Sequence, residues 1–267
     1  MPPEKTPSGC RKINPNAKNI SAAIGASGDY LERASALFEA GARILCVDIA
    51  HGHHSLMEEA LNQLRLKLGD KAILIAGNVA TKEGYEYLAN AGADAVRVGV
   101  GGGSICSTRL QTGHGIPTLQ SIIDCANSEI DIPIIADGGI KNSGDAAKSF
   151  AAGASFVMLG SVLAGTDETP GDFIRQKNNE KRKVYRGMAS REAQQSWRNR
   201  VGSVEGVCTT VAAKGPAVEV LRDFEWGIRS AFSYSGASNL REYYHKSKMI
   251  RQSPAGIRES GTHILNA

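Results

Sequence analysis

One structural joint occurs three times along this chain, and it constrains the fold more than any other feature. In each copy a helical pattern ends at a glycine, an alanine follows, and a run of mostly apolar residues begins. The copies are EAGARILCVD, NAGADAVRVG and AAGASFVMLG, with Gly41, Gly92 and Gly153 at the joint. Because glycine commonly ends a helix and a continuous apolar run is typical of a buried strand, each copy indicates a helix that leads directly into a strand.

Six strand-like runs alternate with helical patterns along most of the chain, at residues 20–26, 44–49, 72–76, 95–100, 132–136 and 156–159. Buried strands that alternate with helices form a parallel sheet covered by helices, either open or closed into a barrel. Polar or glycine-rich segments follow five of these strands, and a closed barrel would gather them on one rim. The sequence therefore predicts an α/β fold of the TIM (βα)8 barrel type.

The composition excludes several classes of protein. Of the 267 residues, 42% are hydrophobic, which is enough for a large core. The net charge is +4, and the basic residues that produce it are scattered along the chain. No run approaches the roughly 20 apolar residues of a membrane span, and the polar N-terminus lacks the apolar segment of a signal peptide. We therefore expect a cytoplasmic protein that binds neither nucleic acid nor membranes. Its five cysteines are unclustered and odd in number, which argues against a disulfide framework or a zinc site.

A glycine-rich loop that ends in a cysteine follows the fourth predicted strand, within the segment VRVGVGGGSICSTR at residues 96–109. Three successive glycines contribute no side-chain packing, so their use is backbone freedom and close approach to a ligand. A thiol beside bare peptide N–H groups can attack a ligand that those groups hold. We interpret Cys106 as a nucleophile; the alternative is that it is a small apolar residue.

Two further strand ends indicate a nucleotide site. Asp137 ends the fifth strand and precedes Gly138 and Gly139, so its carboxylate can accept both hydroxyls of a ribose while the glycine N–H groups face a phosphate. The alternative is a tight turn in which Asp137 is a local cap. Gly160 and Ser161 follow the sixth strand, at a position where barrels commonly hold phosphate. Together they predict a nucleoside monophosphate as the ligand.

These motifs resemble those of the IMP dehydrogenase and GMP reductase family. The resemblance rests on VGVGGGSICSTR, IADGGI, VMLGSVLAGT, YRGM and AGIRES, which occur in the family's order. It implies that the chain begins near the family's third barrel strand, so we expect about six βα units and a barrel that is incomplete at its N-terminus. We divide the chain into an irregular lead-in at 1–18, a barrel domain without CBS domains at 19–248, whose active-site flap spans 186–214, and a tail at 249–267.

The resemblance implies that Cys106 attacks C2 of a purine nucleoside monophosphate, forms a covalent adduct and takes part in hydride exchange with NADPH or NAD. The implied catalytic residues are Cys106, Thr108 and Glu192. The implied substrate-binding residues are Ser104, Asp137, Gly138, Gly139, Gly160, Ser161, Tyr185, Gly187, Met188, Ala189 and Glu205. The implied cofactor-binding residues are Asp48 and Asn78. Glu205 matches the position that reads the purine N1; the alternative is an ordinary surface glutamate.

The resemblance also implies a monovalent cation, K+, shared between the subunits of a homotetramer. Its ligands would be the carbonyls of Gly101, Gly103 and Cys106 with Glu259, Ser260 and Gly261 of a neighbouring subunit. The alternative for the last three residues is a disordered tail. The run HGHH at 51–54 has the wrong spacing for zinc ligands on a helix face, so we expect no zinc there. No GxGxxG motif follows a strand, so a Rossmann-type cofactor site is not indicated.

The flap favours one branch of the family. Only 17 residues, 188 to 204, separate Gly187 from Glu205, and they include no Arg-Tyr pair of the kind that implies a dehydrogenase. The reductase branch implies a glutamate that assists the threonine; the matching position is Arg191, with Glu192 next to it. The motifs ADGGI, GSVLAGT and AGIRES are closer to the dehydrogenase branch. We therefore expect a GMP reductase, with an IMP dehydrogenase as the alternative and a non-catalytic remnant or assembly subunit as the second alternative.

Three segments after the sixth strand have weaker patterns. Residues 166–183 are polar and predict a loop with a short turn at 170–174. Residues 190–200 have the pattern of a capped helix, and residues 218–234 that of a long helix with one apolar face.

Overall fold

The computed structural model describes residues 19–176, 179–198 and 202–262. Its main feature is a parallel sheet in which each strand pairs with the next one along the chain. The six strands are β1 Ser21–Ile24, β2 Ile44–Asp48, β3 Ile73–Val79, β4 Ala95–Val98, β5 Ile134–Asp137 and β6 Phe156–Met158. Each overlaps one of the six predicted runs. This order confirms the predicted α/β architecture of an incomplete TIM-type barrel, with the predicted lead-in at 1–18 outside the described residues.

The structure describes ten helices, several of which cover one face of the sheet. They are α1 Tyr30–Glu39, α2 Ser55–Leu68, α3 Lys82–Asn90, α4 Thr108–Thr112, α5 Thr118–Ala126, α6 Ser143–Ala151, α7 Arg191–Arg198, α8 Ala217–Tyr234, α9 Leu240–Lys246 and α10 Pro254–Glu259. A short 3-10 turn, Gly69–Lys71, follows α2. Both predicted late helices are confirmed, as α7 and α8. In the described part of the chain no helix is both long enough and apolar enough to cross a membrane.

The core lies between the sheet and these helices. In β2, Leu45 and Val47 are fully buried while the alternate residues Cys46 and Asp48 are less so, because successive side chains of a strand point to opposite faces. The apolar side of α2, including Leu61 and Leu64, meets the same layer. The second face of the sheet therefore carries the alternate residues of each strand, among them Cys46 and Asp48 of β2.

The repeated glycine joint has the backbone conformation that its sequence predicts. Gly41, Gly92 and Gly153 have φ angles of 104°, 98° and 109°, in the region that side-chain-bearing residues avoid. At Gly153 a Cβ atom would also lie 2.5 Å from the Cβ of Ala126. The glycine therefore ends its own helix, and its lack of a side chain lets the backbone pass close to the end of helix α5.

A second, antiparallel sheet forms where the sequence predicted a loop. It consists of β7 Phe173–Arg175, β8 Lys181–Arg186 and β9 Cys208–Ala212, with β8 in the centre. The prediction of a loop over 166–183 is therefore wrong for β7 and for the start of β8. Strand β8 reads KRKVYR, which has almost no apolar residues, and its pairing to both neighbours is what fixes it as a strand.

Candidate active site

The carboxyl ends of the strands bring together several of the predicted site residues. Asp48 is the last residue of β2, Asn78 lies near the end of β3, and Asp137 is the last residue of β5. The Asn78 side-chain amide donates to Asp137 Oδ2 over 2.8 Å and to the carbonyl of Gly99 over 2.8 Å. These residues therefore form one connected polar cluster on the rim of the sheet.

Arg97, which the sequence reasoning did not single out, lies at the centre of this cluster. Its guanidinium donates to Asp137 Oδ2 over 2.7 Å and pairs with Asp48 Oδ1 at 3.1 Å. Burial opposes the charge of Arg97, but the carboxylates of Asp48 and Asp137 outweigh it and the net pKa of the guanidinium is raised. The sequence does hold one signal that could have identified Arg97, because it is a charged residue within the otherwise apolar strand AVRV.

Two glycines make room for this arrangement. A Cβ atom at Gly77 would lie 2.6 Å from the Cβ of Arg97, so only glycine lets the arginine pass across β3 towards β2. A Cβ atom at Gly99 would lie 2.0 Å from the carbonyl oxygen of Asp137. The close approach of the strand ends thus depends on having glycine at both positions as well as on the polar contacts.

The cysteine loop carries a connected row of polar groups. Cys106 is exposed, and its thiol donates to Thr108 Oγ1 over 3.2 Å. The Thr108 hydroxyl in turn donates to Glu205 Oε2 over 2.8 Å. A thiol, a hydroxyl and a carboxylate in this order can pass a proton from sulfur to oxygen. Sequence reasoning paired Thr108 with Glu192; the structure places Glu205 beside it.

Main-chain hydrogen bonds hold Glu205 in this position. Ser107 N donates to the Glu205 carbonyl over 2.9 Å, and Val207 N donates to the Ile105 carbonyl over 3.0 Å. Cys106 and Gly206 lie opposite each other in the antiparallel bridge that these bonds form. The segment that leads into β9 is therefore attached directly to the cysteine loop.

The predicted phosphate-binding residues also come close to one another. Ser104 Oγ and Tyr185 Oη are 3.3 Å apart, and a Cβ atom at Gly160 would lie 3.6 Å from the same tyrosine oxygen. A Cβ atom at Gly138, whose φ is 97°, would lie 2.8 Å from the carbonyl carbon of Gly102. Gly139 and Ser161 adjoin this group along the chain, so a small surface of hydroxyls and backbone forms here.

The remaining predicted residues occupy the flap. Gly187 follows β8, and its N–H donates to the Val207 carbonyl over 3.1 Å. Met188 is 69% exposed, and the carbonyl of Ala189 accepts from Glu205 N over 3.2 Å. Glu192 is exposed near the start of α7. Within the described ranges, no hydrogen bond or ion pair joins its side chain to Cys106 or Thr108.

The predicted cation ligands are not brought together within one chain. The Gly103 carbonyl already accepts a hydrogen bond from Cys106 N over 3.1 Å. Ser260 Oγ donates to Gly256 O within its own helical turn. Glu259 and Gly261 have no contact with the cysteine loop among the described hydrogen bonds and ion pairs. One chain therefore offers an incomplete set of oxygens for K+.

The histidines of HGHH take part in local contacts. His54 accepts from Leu56 N at the start of α2, and the His53 ring lies 4.6 Å from that of Tyr87. Over the residues that the structure covers, no group of three or more His, Cys, Asp or Glu side chains is placed to hold a metal ion.

Comparison with known proteins identifies a family for this chain. A family model described as IMP dehydrogenase / GMP reductase domain matches residues 5–263. An inosine-5'-monophosphate dehydrogenase of Nitrosopumilus maritimus is 45% identical over 258 residues, which is 91% of this chain and 54% of that protein. A GMP reductase of Leishmania major is 44% identical over 260 residues, or 92% of this chain and 53% of that protein.

A solved structure gives the same result for the fold. The crystal structure of GMP reductase C318A from Trypanosoma brucei, in complex with guanosine 5'-monophosphate, has a TM-score of 0.87 and 42% identity. The match covers 92% of this chain and 52% of that one. The chain thus spans about half the length of the proteins it matches. Because the family model matches nearly the whole sequence, the resemblance is confirmed: the chain belongs to the IMP dehydrogenase / GMP reductase family.

Proposed function

We propose that this chain carries the catalytic site of an NAD(P)-dependent oxidoreductase that acts at C2 of a purine nucleoside monophosphate. GMP reductase, which converts GMP and NADPH into IMP and ammonia, is the favoured activity. The observation that carries the proposal is the connected row from Cys106 through Thr108 to Glu205, with hydrogen bonds of 3.2 and 2.8 Å. A row that ends in a carboxylate can take the proton of the thiol and later give it to a leaving amine.

The proposed reaction uses each member of this row. The Cys106 thiol transfers its proton through Thr108 to Glu205, and the sulfur bonds to C2 of GMP. The C2–N bond then breaks, and Glu205 returns a proton through Thr108 to the leaving amine, which departs as ammonia. A nicotinamide cofactor, which Asp48 and Asn78 would hold, would supply the hydride that replaces sulfur at C2. Cys106 then leaves C2 as a thiolate, which takes up a proton from solvent, and IMP is formed.

The residues at the rim fit both ligands. Asp137 has Oδ2 held by Arg97 and Asn78, which leaves Oδ1 to accept a ribose hydroxyl of the nucleotide. Asp48 has a side chain that is 46% exposed, so its carboxylate retains a free face for the ribose next to the nicotinamide. Asn78 Oδ1 is buried and has no hydrogen-bond partner among the residues that the structure describes, and it lies beside the position proposed for the cofactor. We propose Asp48 and Asn78 as the residues that hold that end of the cofactor.

IMP dehydrogenase is the second candidate. The same carboxylate could accept the proton of a water molecule that hydrolyses the adduct, and the 45% identical relative from Nitrosopumilus maritimus has that name. The short flap without an Arg-Tyr pair favours the reductase.

The two activities are separated by a direct assay. With GMP and NADPH we expect oxidation of the cofactor and release of ammonia in equal amounts; with IMP and NAD we expect little NADH. A rate of XMP formation equal to or above that of ammonia release would assign the dehydrogenase instead. No turnover with either pair, although nucleotide binds, would favour the non-catalytic alternative.

The role of Glu205 is tested by Glu205→Gln, which keeps the size of the side chain but removes its ability to hold a proton. We expect ammonia release to fall by about 10² to 10⁴, the usual contribution of general acid–base catalysis. Glu219→Gln, on the exposed side of α8, is the matched control. If Glu192→Gln abolishes ammonia release while Glu205→Gln does not, the original pairing of Thr108 with Glu192 is right.

A further inference from the structure

The proposed phosphate-binding residues are all uncharged. They are Ser104, Gly138, Gly139, Gly160, Ser161 and Tyr185. A phosphate monoester carries about −1.5 to −2 charges at pH 7. Hydroxyls and backbone N–H groups can hold its oxygens but bring no full positive charge, so a compensating charge should lie close behind them.

Two lysine ammonium groups lie behind the loop that follows β6, at residues 160–169, which we call the phosphate loop. Lys214 Nζ donates to the carbonyls of Ser161 and Val162, each over 2.8 Å. Lys183 Nζ donates to the carbonyls of Thr166 over 2.9 Å and Thr169 over 2.6 Å. Each end of the phosphate loop is thus held by hydrogen bonds from a lysine ammonium group.

Lys183 is an unusual case because it is buried and bound to neutral oxygens. The residue is 3% exposed. It also contacts the Asp167 carbonyl at 3.2 Å, the Thr169 hydroxyl at 3.4 Å and the Phe173 ring at 4.5 Å. Among the described residues no carboxylate forms an ion pair with it or with Lys214. Burying an unpaired charge is costly. The positive charge of this pair therefore remains available to an anion on the other side of the loop.

The hydrogen bonds of the two lysines to the phosphate loop link their positive charge to the proposed phosphate site. Both lysines bind the carbonyl ends of the loop's peptide units, which polarises those units. The loop is also pressed against β9, because a Cβ atom at Gly165 would lie 2.3 Å from the carbonyl oxygen of Ala212. On β8, Lys183 and Tyr185 are two residues apart and so share a face. One strand therefore presents a lysine to the loop and a tyrosine hydroxyl to Ser104.

We propose that Lys183 and Lys214 are positioning residues that hold the phosphate loop and supply the positive charge for the phosphate of the nucleotide. They do so through the backbone of the loop and without contact with the phosphate itself. The inference rests on the nucleotide-binding part of the proposed function and not on which half-reaction follows.

The test compares Lys214→Met and Lys183→Met with Lys181→Met, an exposed lysine on the same strand. Titration calorimetry with GMP and with guanosine measures the part of the affinity that comes from the phosphate. We expect each of the first two variants to weaken GMP binding about tenfold or more, because the phosphate loop loses a charged hydrogen bond that holds it and the positive charge close to it. Guanosine binding, and GMP binding by Lys181→Met, should stay unchanged.

Lys183→Arg is the conservative variant and should recover most of the GMP affinity. If Lys183→Met does not fold, Lys214→Met, which removes a less buried ammonium, decides the question. Equal weakening of GMP and guanosine, or no weakening of either, would contradict the proposal, as would failure of the unmodified chain to bind GMP or IMP. An unmodified chain that binds GMP without turnover would refute the proposed activity but leave this comparison valid.

Discussion

Cys106 differs from the other described cysteines in combining exposure with a hydroxyl partner for its thiol. Burial raises the pKa of Cys125 to about 12. Burial also raises the pKa of Cys46, although nearby Arg97 opposes the shift. A thiol whose pKa is raised holds its proton at neutral pH and is a poor nucleophile. Cys106 and Cys208 are exposed, and Cys106 has the Thr108 hydroxyl as its proton acceptor.

Limited alkylation with iodoacetamide at pH 7 should therefore label Cys106 and Cys208 well before Cys46 and Cys125. Raising the pH should increase labelling of Cys46 and Cys125, because more of each raised-pKa thiol ionises as the pH approaches its pKa. GMP should protect Cys106 and leave Cys208 reactive, which mass mapping of the labelled peptides would show. Equal protection of Cys106 and Cys208 would contradict a nucleophile inside the nucleotide site.

Some residues of the site can be identified from sequence and others cannot. Asp137 and Cys106 follow apolar strands, and the carboxyl ends of parallel strands meet on one rim, so their convergence is predictable. Arg97 cannot be identified in this way because its partners, Asp48 and Asp137, belong to two other strands. Glu205 was predicted to lie near the purine, but its bond to Thr108 joins residues 97 positions apart, which no local pattern encodes.

At the scale of elements, β3 and β4 pack closely because Gly77 has no side chain. Gly77→Ala would place a methyl group 2.6 Å from the Cβ of Arg97, so the arginine or the strand must move. We expect a loss of about 1–3 kcal/mol of unfolding free energy in urea, the usual cost of overpacking.

Gly25→Ala is the control for this substitution, because the nearest heavy atom to its Cβ would be 4.0 Å away. Its effect should stay within about 0.5 kcal/mol, as for most surface changes. Equal destabilisation by both substitutions would show that the space at Gly77 does not matter. A loss at Gly77 that disappears in an Arg97→Ala background would identify the arginine as the group that is displaced.

The elements themselves were predictable to different degrees. The six parallel strands are apolar because helices cover one of their faces, and such runs are visible in the sequence. Strand β8 has neither an apolar run nor a clear alternation, and hydrogen bonds to β7 and β9 define it instead. Those partners lie on both sides of it in the chain, and residues 187–207 separate it from β9, so a local pattern predicted a loop.

At the scale of the whole molecule, the face of the sheet that carries Arg97 also exposes large apolar side chains. Phe156 is 59% exposed and Met158 38% on β6, and Ile73 is 49% exposed on β3. The strand register places all of these side chains on the same face. Strand β6 is also the last in the described order of the sheet. An apolar edge of this kind favours association between chains.

Phe156→Thr should therefore reduce self-association of the purified chain, measured by sedimentation velocity over a range of concentrations. Leu66→Thr is the matched control, since Leu66 is 80% exposed on helix α2, away from this face. If both variants associate as the unmodified chain does, the apolar face is not what drives association.

The attachment of Glu205 to the cysteine loop has a consequence for how such a site can diverge. The proposed nucleophile belongs to the barrel and the carboxylate belongs to the flap, and main-chain bonds together with the hydrogen bond from Thr108 to Glu205 join the two. Under the proposed function, substitutions in the flap can therefore alter whether a leaving amine receives a proton or a water molecule gives one up, while the sulfur keeps its place. One barrel can in this way serve two half-reactions that differ only in the peripheral segment that supplies the carboxylate.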